Sequence, residues 1–173
     1  LEEAEKAFGK LNFIHQNAAI QVEKLLHETT LDEWDRLMAV NLRSMFLGAK
    51  HILPRMMRSG GGSIVNSASI LSLSADEVLP LYSASKHGVL GLTRGIAVTE
   101  TYAKAGIRCN CICPGGILNN QSDDFIEKIN KEIPLGRLAN IGEYGGLIIY
   151  LLSSASSYMN GAIISVDGGR TTW

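Results

Sequence analysis

The chain has 173 residues, 46% hydrophobic and 19% charged, with 16 Lys and Arg against 17 Asp and Glu for a net charge of −1. A chain of this size buries roughly 70% of its extended surface on folding, so these proportions describe one globular domain and exclude a disordered one. No basic stripe is present to displace counterions from a phosphate backbone, which excludes nucleic acid as the expected partner; the longest apolar runs, such as Leu147 to Leu152, fall far short of the ~20 residues a bilayer requires; and three cysteines crowded into Cys109–Cys113 form no disulfide framework and suit a reducing, cytoplasmic compartment.

The chain opens at Leu1, without methionine and within an acidic amphipathic helical pattern, which reads as a fragment, a processed product or a partly represented polypeptide and not as a secretory signal. The first apolar segment, Leu11–Asn17, is followed by Thr30-Leu31-Asp32-Glu33, a capping box in which a Thr hydroxyl and a Glu three residues on satisfy each other's orphan amides. The apolar stripe Trp34, Leu37, Val40, Met45, Ala49, Ile52 then runs at helical spacing to Pro54. Gly60-Gly61-Gly62-Ser63 reads as a short loop feeding a second apolar segment, Ser63–Ser67.

A second long helix is predicted from Leu81 to Lys104, with Gly106 as its C-cap and a ridge of small residues, Ala84, Gly88, Gly91 and Gly95, for close approach to the sheet or to a partner helix. Two further apolar segments, Ile107–Cys113 and Ala162–Val166, bracket a helix near Ser122–Ile133, with Asp123 and Asp124 in its first turn, and another from Asn140 to Ser153, with Glu143 in the capping position. The four apolar segments are continuous in hydrophobicity, as strands covered on both faces are. Strands alternating with helices make the expected fold α/β: a doubly wound parallel sheet in a single domain spanning residues 1–173.

The chemistry centres on Tyr82-Ser83-Ala84-Ser85-Lys86. On a helix, residues four apart share a face with Cβ atoms roughly 5–6 Å apart, and an ammonium beside a phenol stabilises its anion, so that the phenol can exchange a proton with an alcohol or carbonyl oxygen. The same spacing also describes a packed ring beside a solvated lysine. Ser69 lies just past a buried strand, at the carboxyl edge where parallel sheets hold ligands, and reads either as a polarising hydroxyl or as one of several turn hydroxyls in Ser67–Ser72. Asn41 interrupts an apolar stripe, either as a satisfied core amide or as a polar relay. After the third strand, the rigid turn Pro114-Gly115-Gly116-Ile117 exposes backbone amides to a flat ligand.

Together Asn41, Ser69, Tyr82 and Lys86 resemble the Asn-Ser-Tyr-Lys tetrad of the short-chain dehydrogenase/reductase family. Gln16-Asn17-Ala18-Ala19 resembles the family's Asn-Asn-Ala-Gly element, Gly62–Ser67 its strand leading to the serine, Pro114-Gly115 its turn over the nicotinamide, and Pro134–Arg137 and Val166–Gly169 its C-terminal signatures. The resemblance implies a Rossmann-like sheet in which this chain supplies strands 4-5-6-7 of the family, and hydride transfer between a nicotinamide cofactor, NAD with NADP as the alternative, and a small alcohol or carbonyl substrate. It implies Tyr82 as acid and base, with Lys86 lowering the Tyr82 pKa and holding the nicotinamide ribose. Ser69 would orient the substrate oxygen, and Asn41 would hold a water that links Lys86 to solvent. Asn17, Ala18 and Ala19 would border the adenosine side, and Ile117 would meet the carboxamide through its backbone. It further implies a homo-oligomer, a dimer or tetramer joined through the two long helices.

The chain departs from that pattern in four places. Ala19 stands for a glycine, Asn119 for a threonine, and the segment Asn119–Ile133 is short for a substrate-covering loop. No Gly-x-Gly-x-x-Gly or other glycine-rich phosphate loop occurs, and that absence supports a rival reading: a non-catalytic remnant or oligomerisation subunit that binds no dinucleotide. The cysteines alternate along a strand at ~7 Å, too far apart for tetrahedral zinc, and read as small core residues. His15, His27, His51 and His87 show no ligand spacing, no metal is expected, and no Gly-x-Ser-x-Gly motif supports a hydrolase. Leu71, Leu73, Val78 and Leu79 suggest an apolar wall for the substrate.

Overall fold

In the computed structural model, which describes residues 1–172, strands β1 (Phe13–Gln16), β2 (Gly62–Ser67), β3 (Ile107–Pro114) and β4 (Ile163–Val166) lie side by side in chain order, every pair parallel. Helices α1 (Glu2–Phe8), α2 (Leu31–Met38), α3 (Ser44–Ser59), α4 (Pro80–Val98), α5 (Glu100–Lys104), α6 (Asp123–Asn130) and α7 (Gly145–Leu152) form the connections. The continuous hydrophobicity of β2 and β3 has the expected cause, because both faces are covered. Ile64, Cys109, Cys111 and Cys113 meet α3 and α4 on one face, while Val65 and Ile112 meet Leu151 of α7 on the other. The three cysteines therefore share a face and are free and buried.

The first two crossovers, through α3 and α4, pass over the same face. The third advances in the same direction along the sheet but passes through α7 over the opposite face, where α7 packs back against β2 and β1. Its hand is thus opposite to theirs, the rare case for a parallel crossover. Arg108 fixes the end of that detour: its guanidinium donates to the carbonyls of Leu151, Ser153 and Met159 at 3.0–3.3 Å, satisfying the C-terminus of α7.

Local details depart from the sequence-based elements. The capping box at Thr30 and Glu33 is present, but the helix does not stop at Pro54; α3 carries the proline internally and ends at Ser59, with Gly60 in the left-handed conformation (φ 86°). Between α2 and α3 the chain loosens into a π-helical turn, Ala39–Arg43, centred on buried Asn41. The predicted Leu81–Lys104 helix is two helices. Thr99 (ψ 108°) breaks them apart, its hydroxyl donating to the Gly95 carbonyl at 2.8 Å, which is how a Thr hydroxyl competes with the helix ladder. The predicted Asn140–Ser153 helix begins as a 3₁₀ turn, Ile141–Tyr144, before α7. No helix among the described residues is long and apolar enough to cross a membrane.

Candidate active site

Three elements converge at the carboxyl edge of the sheet. Ser69 follows β2 in extended conformation and caps the 3₁₀ turn Ile70–Ser72. Tyr82 and Lys86 lie one turn apart on α4, which opens with Pro80 in its first turn, a position where the missing N–H costs nothing. The Tyr82 hydroxyl lies beside the Ser69 side chain, and the Lys86 amine stands over the Tyr82 ring, 5.5 Å from its centroid. The structure thus brings Ser69, Tyr82 and Lys86 together.

The electrostatics differ from the expected scheme. Burial pushes the Tyr82 phenol above its ordinary range, and the Ser69 hydroxyl opposes that shift only in part. The Lys86 amine, over the Tyr82 ring, donates to the Ser67 carbonyl at 2.8 Å. Lys86 is itself 1% exposed, and burial lowers it to about 8. An ammonium carries three donors, so two remain beyond the Ser67 bond for a ligand. Cys113 lies beside this group and is held below the usual thiol range, chiefly by hydrogen bonding from Cys111 and also by the Lys86 charge.

Asn41 is fully buried, and its side chain is hydrogen-bonded within the protein. Its Oδ1 accepts from the Ile20 amide at 2.8 Å, and its Nδ2 donates to the Ile20 carbonyl at 2.8 Å and to Ser85 Oγ at 3.1 Å. The side chain ties the loop after β1 to α4. Asn17, Ala18 and Ala19 form the exposed part of that loop, beyond the Ile20 anchor. On the other side of the crevice, Pro114–Ile117 are half-buried. Gly116 and Leu118 pair with Ala139 at 3.0 and 2.9 Å, an alternation that aims the N–H and C=O of Ile117 away from Ala139; the Ile117 carbonyl accepts from Gln121 Nε2 at 2.8 Å.

The C-terminal signature has a packing role. A Cβ on Gly115 would stand 2.8 Å from the Asp167 Cα, and one on Gly168 would stand 2.7 Å from Ile133. Asp167 takes the amides of Gly169 and Thr171 at 3.0 and 2.9 Å, folding the end of the chain beneath the Pro114–Gly116 turn. Sequence reasoning missed Ile20, Ser85 and Ser72 as members of this assembly. Ser72 carried a signal, the Ser-x-x-Ser spacing of a reciprocal cap with Ser69, whereas the Asn41 partners are distant in sequence and carried none. Among the described residues, no group of three His, Cys, Asp or Glu side chains could hold a metal ion.

The donors present suit the nicotinamide end of a dinucleotide: a half-free lysine, a phenol and an exposed peptide edge. A family model described as enoyl-(acyl carrier protein) reductase matches residues 1–171. The 2-(R)-hydroxypropyl-CoM dehydrogenase of Xanthobacter autotrophicus is 35% identical over 173 residues, covering 95% of this chain and 68% of that protein. The cis-4-hydroxycyclohexanecarboxylate dehydrogenase of Sinomonas cyclohexanicum is 38% identical over 176 residues, covering 99% and 70%. Among solved structures, levodione reductase superposes with a TM-score of 0.92 at 30% identity, over 99% of this chain and 70% of that one.

Proposed function

Because the chain belongs to the short-chain dehydrogenase/reductase family of oxidoreductases, we propose that it interconverts a secondary alcohol and a ketone, with Tyr82 as the acid and base on the substrate oxygen. The observation that carries this reading is the buried Tyr82 phenol set beside Ser69 with the Lys86 amine over its ring. A nicotinamide dinucleotide, NAD with NADP as the alternative, supplies hydride at carbon when bound. The two remaining donors of Lys86 suit its ribose hydroxyls, the backbone of Ile117 suits its carboxamide, and Asn17, Ala18 and Ala19 border the way to its adenosine.

The protein's own groups then divide the proton work. Burial keeps Tyr82 protonated, the state needed to deliver a proton as a ketone oxygen gains charge. The Ser69 hydroxyl turns its proton to the same oxygen as a fixed donor in a water-poor crevice. In the oxidative direction the Lys86 cation, populated below about pH 8, stabilises the phenolate that takes the alcohol proton. The relatives' names, dehydrogenases for cyclohexanol and a hydroxycyclohexanecarboxylate among them, point to small secondary alcohols.

The test follows NAD(P)H absorbance across a panel of secondary alcohols and ketones with the complete gene product. Replacing Tyr82 by Phe is expected to lower kcat by ~10²–10⁴-fold, the usual contribution of positioned proton transfer; turnover undiminished in that variant would refute the assignment. The same reading includes self-association through α3 and α4. Phe46 and Met57 are 48% and 40% exposed there, and Gly91 and Gly95 on α4 have open space where a Cβ would sit, whereas Gly88 faces Leu42 within the subunit.

A further inference from the structure

Ser69 can polarise a substrate oxygen only if its hydroxyl is held as an outward donor. We propose that Ser72 is the positioning residue that holds it, an inference that rests on the acid–base reading above. The Ser69 amide donates to Ser72 Oγ at 3.1 Å, and the Leu71 amide donates to Ser69 Oγ at 3.2 Å. The two bonds close a reciprocal clamp across one 3₁₀ turn. Having accepted the Leu71 amide, the Ser69 oxygen turns its own proton outward, toward Tyr82, and a hydroxyl that accepts one hydrogen bond donates the next more strongly.

The clamp is anchored from below. Ser72 is 2% exposed and lies beside the fully buried Cys113 of β3. Ala68, the residue before Ser69, packs against Cys111 and Cys113. Bulk water does not reach this layer, so no solvent molecule replaces the Ser72 oxygen when it is removed. The Ser69 side chain would then redistribute among its staggered rotamers, and its polarisation would be lost with its orientation.

Ser72→Ala in the complete enzyme is therefore expected to lower kcat roughly tenfold, within the range for a misdirected catalytic hydrogen bond. Dinucleotide Kd, measured by fluorescence titration, should stay within about twofold, because the groups that face the dinucleotide are untouched. Ser72→Thr, which keeps the hydroxyl, should recover most of the loss. In a Ser69→Ala background, Ser72→Ala should cost nothing further, an outcome that a merely structural role does not produce. An unchanged kcat in Ser72→Ala, or a second full loss on top of Ser69→Ala, overturns the proposal. If Ser72→Ala does not fold, Cys113→Ala removes the anchor instead, with a smaller fall in kcat at constant dinucleotide Kd expected and an unchanged kcat overturning the idea. The parent reading fails separately: full activity in Ser69→Ala sinks the acid–base assignment, whereas an inactive Ser69→Ala beside a fully active Ser72→Ala sinks only the role of Ser72.

Discussion

Replacing Asn41 by Leu tests the link between the loop after β1 and the catalytic helix. Leucine has the same branched heavy-atom skeleton, bulkier methyls and no hydrogen-bonding capacity, so the substitution removes three bonds and crowds a fully buried site. Each is worth about 1 kcal/mol net, and the partners left without Asn41 are the amide and carbonyl of half-buried Ile20 and one contact of buried Ser85. The expected destabilisation is thus about 3 kcal/mol or more. In a chain of this length that corresponds to a fall in Tm of about 6–12 °C. Urea denaturation gives the free energy directly, and the slope of the transition shows whether the loss is in the folded state. Because Ile20 follows Asn17, Ala18 and Ala19, dinucleotide affinity should weaken more than kcat falls. A change in stability under 0.5 kcal/mol, or a loss confined to kcat with dinucleotide affinity intact, would refute the view that Asn41 acts by tethering this loop.

Two further outcomes follow from the site and the helix faces. Gly91→Ala adds a Cβ in open space on α4, so it should raise subunit stability by about 0.5–1 kcal/mol through helix propensity; if that face is an interface, sedimentation should show weaker self-association in the same variant, and unchanged association removes α4 from the interface. Lys86 has a folded pKa of about 8 against an ordinary 10.5, so the unfolded chain binds the extra proton between those values and unfolding takes it up. The stability of wild type relative to Lys86→Met should therefore rise as pH increases from 8 toward 10.5, by at most about 1.4 kcal/mol per pH unit. The comparison with the variant is essential, because burial raises the Cys109 thiol to about 12, and that group loses stability as pH climbs above 9; a difference that does not change with pH contradicts the burial of a lysine charge.

What could be read from sequence were features carried by near neighbours. Continuous apolar runs identified buried parallel strands, Thr30 with Glu33 marked a helix start, and the spacing of Tyr82 and Lys86 placed both on one helical face. These patterns repeat within a turn or a strand, where the backbone alone fixes which residues are adjacent. Tertiary packing decided the rest. The π-helical turn aims Asn41 at Ile20 and Ser85, contacts made between segments distant in the chain. The same helix presents Gly88 to Leu42 and leaves Gly91 open. The depth of burial, which no local pattern encodes, gives Lys86 its depressed pKa where it stands over the Tyr82 ring. Residue identity determined which groups could react; only the enclosing layers, by excluding water and fixing each hydrogen-bond partner, determined their charge and direction.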